Sequence, residues 1–560
     1  MSVEQASSES SWHQELGVSG QQQTIKWRTL KHNGPVFAPP YIRLPPHVKF
    51  YYKSRPVELS EAAEEAATLY AKILKTDIAK NPILQSNFFK CFVRLLHPHQ
   101  REFIKKLSLC NFKQIHEHCQ RAAELKSRCS KDQLKQQRQE EMDRFGYCEI
   151  DGQLEKIANY RIEPPGIFRG RGNHPLIGLL KPRVQPEDIT INCSDGWTPA
   201  APEGHSWKKT LHNNKVSWLA RWRDSMLGKQ RYIWLSSASR LEGIRDLNKF
   251  ETARRLSLHI RMIRLSYRND WHSEDLRLRQ RGVALYLIDR LMLRVGNEKQ
   301  ENTADTEGCC TLRVEHLKLC NRLQGVPHVV VFNFLGKDSI KFYRKVAVNS
   351  TVFANLRCFL KGKQSVDLVF DLLLAKYLNR HLKMLMEGLT AKVFRTYNAS
   401  KLLQKRLDDL THPCLALNEK LHVYTKANAM AAQFCNHRRA MTKANSLKLL
   451  NWQKLIKVKQ SQIVHFKKRC RIKRHFHSAS NNKKKLCKLQ SELSTLKAKL
   501  EKDSVRSNVA LTTSKVNYLD PRITVAWCKR NNVPIEKVFN STLRNKFKWA
   551  IRATNEDFRF

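Results

Sequence analysis

A tyrosine phenol can attack phosphorus, and Tyr518, in the run SKVNYLDPR (514–522), sits in a polar, turn-forming context that predicts an exposed side chain. Its ordinary pKa of about 10 means that attack at neutral pH needs nearby cations, which stabilise phenolate character and the negative charge gathering on phosphorus. Arginine suits that task because its planar fork engages two phosphate oxygens and it never deprotonates. Cations are abundant: 101 Lys and Arg face 50 Asp and Glu across 560 residues, a formal net charge of +51. A field of that sign recruits a polyanion and releases its counterions, so nucleic acid is the expected partner.

Other routes to phosphoryl chemistry leave no trace. The sequence has no Walker loop, no paired-carboxylate cluster suited to two metals, and no zincin or kinase signature. A basic protein that cleaves DNA would then need a nucleophile of its own. Four residues could form a cationic cradle, and each has an ordinary structural alternative. Arg294, in LMLRVGNEK, follows an apolar helix just before Gly296 and could be a helix cap; Arg395, in AKVFRTYNAS, could make a structural ion pair. His437, in FCNHRRA, could be a surface histidine, and Lys337, at a Gly-Lys-Asp turn, a solvated lysine.

The elements that must position these residues follow from pattern. The length predicts three or four domains, and 41% apolar residues with 24 Phe, 11 Trp and 14 Tyr are enough to build cores. Fifteen Cys occur without a C-x-x-C pair, zinc spacing or secretory signal, so reduced thiols are expected, with Cys309 and Cys310 as buried filler and no metal site. No apolar run approaches bilayer length. Residues 1–25 read as a disordered polar tail, whose Glu-rich start is opposite in sign to a mitochondrial transit peptide. Five prolines in 26–46 hold the path extended around Trp27, Phe37 and Tyr41. Helices are expected over 60–74 and 130–145, strands and loops from about 150 to 240, and helices again over 240–310, where Val283, Leu287 and Leu291 should face a core. The run 328–346 reads as two strands with Lys337 at the hairpin tip, and helices follow through 366–440. Residues 441–506 carry 19 Lys/Arg against three acids and two heptad arrays: Leu449, Trp452, Ile456, Ile463 and Phe466, interrupted by Lys459, then Leu486, Leu489, Leu493, Leu496 and Leu500. The break HSASNN (477–482) between them predicts an antiparallel two-helix coiled coil, before a compact piece, 507–560, with Trp527, Phe539, Phe547 and Trp549.

The strings EPPGIFRGRGNHP (163–175), ALYLIDRLMLRVGNEK (284–299), FNFLGKDSIKFY (332–343), LMEGLTAKVFRTYNASKLLQ (385–404), CNHRRA (435–440) and SKVNYLDPRITVAWCK (514–529), in this order, resemble eukaryotic type IB DNA topoisomerase from residue 26 to 560. The resemblance implies strand cleavage without metal or ATP. Tyr518 would form a 3′-phosphotyrosyl link; Arg294, Arg395 and His437 would hydrogen-bond the nonbridging oxygens; Lys337 would protonate the leaving 5′-oxygen. It also implies DNA contacts at Lys126, Arg171, His174, Trp218, Arg231, Tyr232, Lys249, Lys299, Thr306, Asn379, Thr390, Ala391, Lys392 and Asn517. Most would meet phosphate or sugar, and Arg171 and Lys337 the minor groove. Departures from the family pattern are Asn333, Glu307, Lys341 and the stretch AMAAQF (429–434); none removes a catalytic group.

The expected fold class is therefore α+β, a multidomain DNA clamp. A mixed α/β cap (26–239) precedes a mainly helical catalytic core (240–440), the coiled-coil linker (441–506) and a small helical C-terminal domain (507–560) carrying Tyr518. The implied activity is relaxation of supercoiled double-stranded DNA by a monomer with no cofactor and no membrane partner. The alternatives are a catalytically weak DNA-binding paralogue and a tyrosine recombinase-like enzyme. The nucleus is the expected compartment, the mitochondrion the alternative, because the long charged N-terminal extension of nuclear members is replaced by about 24 polar residues. The basic clusters 467–474 and 483–485 could substitute as import signals.

Overall fold

The computed structural model describes residues 25–128, 130–299, 303–438, 443–472 and 479–560. The polar tail expected over 1–25 thus lies, save for its last residue, outside the described residues. Mixed helix and sheet form two compact units. One comprises residues up to Asn248 with Lys299–Thr306 and Asn545–Trp549; the other comprises Lys249–Glu298, Glu307–Arg544 and Ala550–Phe560.

The first unit has two apolar centres. One gathers Phe50 of the strand Phe50–Tyr52 and Phe112 together with Tyr70, Phe88, Phe92 and Ile115 from the helices Glu61–Ala71, Pro82–Leu95 and Lys113–Arg128. Ser60 caps the first of these by accepting from the amide of Ala63, and Asn81 caps the second ahead of Pro82 at its first turn. The helix expected over 130–145 forms as Lys131–Phe145, with Ser130 accepting from the amide of Asp132. The other centre packs Trp27, Leu30, Ile150, Ile191, Leu219 and Ile233 between small sheets. Its larger sheet orders strands Lys209–Leu211, Thr190–Asn192, Trp218–Arg223 and Gln230–Trp234, with one parallel pair.

In the second unit, Leu276–Leu291 is the central helix. Val283 and Leu287 are fully buried and Leu291 is 5% exposed, as their spacing requires, but Ala284, Leu285 and Ile288 are buried too, so the helix is covered on more than one side. A three-stranded antiparallel sheet, Leu317–Leu323, Val326–Gly336 and Ile340–Ala347, packs Val330 and Phe332 into the same core. The sequence pattern reveals only its last two strands. The first, LKLCNRL, has a burial rhythm too irregular to stand out. The expectation of helix through 310 is corrected: helix stops at Leu291, and the described residues between it and the short turn Cys309–Thr311 are not helical. Met292 ends the helix in the left-handed conformation, φ 52°.

The heptads form two long helices, Lys443–Ile472 and Ala479–Asn508. Trp452 donates its indole N–H to Asp503 and Lys459 pairs with Glu492 at 2.7 Å, so the two run antiparallel. Lys459 keeps its place in the seam because an acid on the facing helix meets it. The side chains of 468–483, which hold most of the basic clusters, lie outside the described residues, as do residues 473–478; the expected break at 477–482 is corrected in its second part, where 479–482 already belong to the second helix.

Candidate active site

All five residues proposed for chemistry belong to the second unit. The short helix Leu511–Asn517 ends at Tyr518, and Pro521 starts the next, Pro521–Arg530, capped by Asp520 accepting from the Arg522 amide. The motif Tyr-Leu-Asp-Pro-Arg is thus the junction between two helices. Ser400, fully buried on the helix Ala391–Leu410, donates its hydroxyl to the Tyr518 carbonyl and accepts from the Asp520 amide, both at 3.0 Å. Arg522 grips both Asp520 oxygens, also pairs with Glu251, and lies 4.7 Å from the Phe558 ring centre. Asp520 is completely buried, so Asp520→Ala leaves the buried Arg522 charge with Glu251 alone and removes a cap. We expect a loss of roughly 3–5 kcal/mol in urea unfolding.

The expectation of an exposed phenol is corrected. Tyr518 is 4% exposed, with the Arg395 guanidinium carbon 4.9 Å from its ring centre and the His437 ring 5.3 Å away. Polar neighbours in sequence say nothing about what folds over a side chain from elsewhere. Burial alone pushes the phenol pKa up; the charges of Arg395, Arg294 and Lys392 outweigh it and bring the group below its ordinary value.

Arg395 is 4% exposed and reaches no carboxylate among the described residues, so the structure does not show the ion-pair alternative. Its Nη1 donates to the carbonyl of Met292 and its Nη2 to that of Cys435 at 3.0 Å. Met292 caps the central helix, so Arg294 is not the cap; it stands half-buried in the chain that follows. That chain is held by amides of Cys309 and Cys310 donating to the carbonyls of Arg294 and Val295, each at 2.7 Å. Gly296 has φ +79°, and a Cβ on Gly308 would come within 2.4 Å of the Gly296 backbone, so glycine is required at this crossing.

His437 is buried at 6%, not a surface residue. Its Nδ1 lies 2.6 Å from the Ser514 hydroxyl and its carbonyl accepts from the Ala510 amide at 2.8 Å. Burial, then Arg395 and Arg294, lower its pKa to about 3, so the imidazole is neutral. Below the usual histidine range of about 6.5, the unfolded chain binds a proton that the folded one refuses. Stability therefore falls as pH drops through the window from 6.5 to about 3, and His437→Gln should flatten this part of the melting temperature's pH profile relative to wild type.

Lys337 is exposed at the hairpin tip, where Asp338 has φ 65°. It is not gathered against Tyr518. Arg344 on the same hairpin donates to the carbonyls of Gln433 and Phe434, both at 2.8 Å, which ties the hairpin to the end of the helix Leu417–Phe434. The unusual AMAAQF stretch is this last turn: Ala431 and Ala432 are fully buried, and the Ala432 carbonyl accepts from the His437 amide. Of the other departures, Glu307 is buried and paired with Arg313 at 3.2 Å, whereas Asn333 and Lys341 are exposed.

The proposed DNA contacts fall on both units. In the first, Lys126, Arg171 and Lys299 are exposed, Lys299 pairing with Asp305; His174 and Thr306 are half-buried. Arg231 is forked onto Asp224, and Tyr232 packs beside Trp234. Trp218 is 5% exposed, with Arg221 over its ring. In the second unit, Lys249 lies over Phe250, and Asn517 is exposed. Thr390, Ala391 and Lys392 form the start of the Ala391–Leu410 helix, where Asn379 accepts from the Ala391 amide. A helix start with an exposed lysine attracts phosphate. Sequence reasoning missed Ser400, Ser514 and Met292, whose roles arise only in tertiary contact.

A neutral histidine and an arginine lie over a phenol of lowered pKa in a chain of strong positive charge, a set of groups suited to meeting a polyanion. The family models agree: "Eukaryotic DNA topoisomerase I, DNA binding fragment" matches residues 25–235, "Eukaryotic DNA topoisomerase I, catalytic core" matches 238–470, and "C-terminal topoisomerase domain" matches 490–560. The chain belongs to the eukaryotic DNA topoisomerase I family, whose members are type IB enzymes. It is 47% identical over 554 residues to DNA topoisomerase 1 of Drosophila melanogaster, covering 98% of this chain and 56% of that protein. It is 45% identical to DNA topoisomerase 1 of Homo sapiens, covering 98% and 73%, and 45% identical to the human protein named DNA topoisomerase I, mitochondrial, covering 98% and 93%. The chain thus spans little more than half the length of the fly relative.

Proposed function

We propose that the chain relaxes supercoiled double-stranded DNA by transient single-strand cleavage through Tyr518. One observation carries this reading: Arg395 Nε and His437 Nε2, both buried beside the phenol, have no hydrogen-bond partner among the described residues. Buried polar nitrogens left so are costly unless a ligand meets them, and two nonbridging phosphate oxygens would. The Tyr518 phenol yields its proton to solvent water as its oxygen attacks phosphorus in line, the P–O bond to the 5′-oxygen breaks, and Lys337 supplies that oxygen's proton. Arg294, Arg395 and His437 stabilise the pentacoordinate charge. The 3′-phosphotyrosyl bond conserves the phosphodiester's energy, so strand rotation and religation by the reverse step need no nucleotide and no metal.

Contacts at Lys126, Arg171, His174, Trp218, Arg231, Tyr232, Lys249, Lys299, Thr306, Asn379, Thr390, Ala391, Lys392 and Asn517 supply affinity and register, mostly through phosphate. In this reading the cap, the catalytic core and the C-terminal domain form a clamp, the paired helices act as its linker, and the enzyme is a monomer. Its place is the nucleus, with the mitochondrion as the alternative; fluorescent tagging of the intact chain separates them.

The test is incubation of supercoiled plasmid in EDTA without ATP. Stepwise relaxation, with a protein–DNA adduct trapped by denaturant, supports the proposal. DNA binding without relaxation overturns it in favour of an idle binder; a requirement for paired specific sites points to a recombinase.

A further inference from the structure

Ser514 and the nucleophile belong to consecutive turns of one segment. The Ser514 carbonyl accepts from the amides of Tyr518 at 2.9 Å and Leu519 at 3.1 Å, while the hydroxyl, fully buried, meets His437 Nδ1 at 2.6 Å. A neutral imidazole carries one N–H, and its place is set by the partner of the other nitrogen. A lone pair on Nε2 would repel a phosphate oxygen, so Nε2 must hold the proton and Nδ1 must accept. A carbonyl or carboxylate at Nδ1 would impose the opposite tautomer; a hydroxyl can donate.

We propose that Ser514 is a positioning residue for His437: its hydroxyl donates to Nδ1 and thereby places the imidazole's single proton on Nε2, aimed at the scissile phosphate. The inference rests on the reading of Tyr518 as nucleophile and adds a coupling to it. The His437 carbonyl also accepts from Ala510, immediately before the Leu511–Asn517 helix, so imidazole and nucleophile share one short segment. The oxyanion donor is therefore set in its working tautomer only when the segment that delivers Tyr518 is docked.

The test is a double-mutant cycle on single-turnover cleavage of a DNA substrate whose 5′-leaving strand is too short to religate. Ser514→Ala should slow cleavage about tenfold in wild type, but change it by less than about twofold in a His437→Ala background, because a residue acting through another has no effect once that other is gone. Equal slowing in both backgrounds, or none in wild type, overturns the proposal. A readout free of activity accompanies it: in ¹⁵N-histidine spectra of the DNA-free protein, the His437 signals, identified by their loss in His437→Ala, should show a bare Nδ1 and a protonated Nε2. A protonated Nδ1 in wild type overturns it even if Ser514→Ala fails to fold. Should wild type form no adduct through Tyr518, the proposed activity falls while the spectrum still decides the tautomer.

Discussion

Tyr518→Phe should abolish both plasmid relaxation and the covalent protein–DNA adduct, lowering cleavage by about 10⁴-fold or more, because no other atom replaces the phenol oxygen as nucleophile. The substitution leaves the ring between Arg395 and His437, and the backbone bonds of residue 518 to Ser514 and Ser400 do not involve the side chain. Stability should therefore change by no more than about 1 kcal/mol. Binding to duplex DNA should stay within about twofold and keep its salt dependence, since no charge that meets phosphate in the ground state is lost. Relaxation by the Phe variant at the wild-type rate would sink the proposed mechanism, and a collapsed melting temperature would show that the phenol oxygen holds the fold together.

Local rules made the elements around this residue legible, and long-range ones hid its surroundings. The seam from Leu449 to Phe466 could be read because heptad spacing depends only on neighbours along one helix, yet the partner that lets Lys459 sit in it is Glu492 on the other helix. The hairpin bearing Lys337 announces itself by alternation and a turn. The burial of Tyr518 could not be read: Ser400, Arg395 and His437 cover or hold it from elements far back in the chain, and most of its own neighbours in sequence are polar. Ser514 did carry a signal, standing four residues before Tyr518, one helical turn away, though nothing in that spacing shows that His437 would occupy the other side of the hydroxyl. The ion pair that seemed the ordinary fate of Arg395 is absent among the described residues for a physical reason. Its fork spans two backbone carbonyls at the ends of different helices, and a carboxylate there would neutralise the field that depresses the Tyr518 pKa.

That dual use makes Arg395 the second site of large effect. Arg395→Ala leaves the carbonyls of Met292 and Cys435 without their donor and removes a cation from over the phenol, so it should cost both stability and rate. We expect a loss of about 2–4 kcal/mol in urea unfolding from the two orphaned carbonyls and the missing packing. Removal of a transition-state donor should lower single-turnover cleavage by about 10²–10³-fold. Arg395→Lys separates the terms. An ammonium keeps the charge and can satisfy one carbonyl, so much of the stability should return, but it has no planar fork to hold two fixed carbonyls and still present a third N–H. Cleavage should remain depressed by about 10²-fold while DNA binding stays within severalfold of wild type. A lysine variant that cleaves within twofold of wild type would mean that charge alone matters at this position. Arg395 would then be no oxyanion donor, and its unpartnered Nε would have no place in the mechanism.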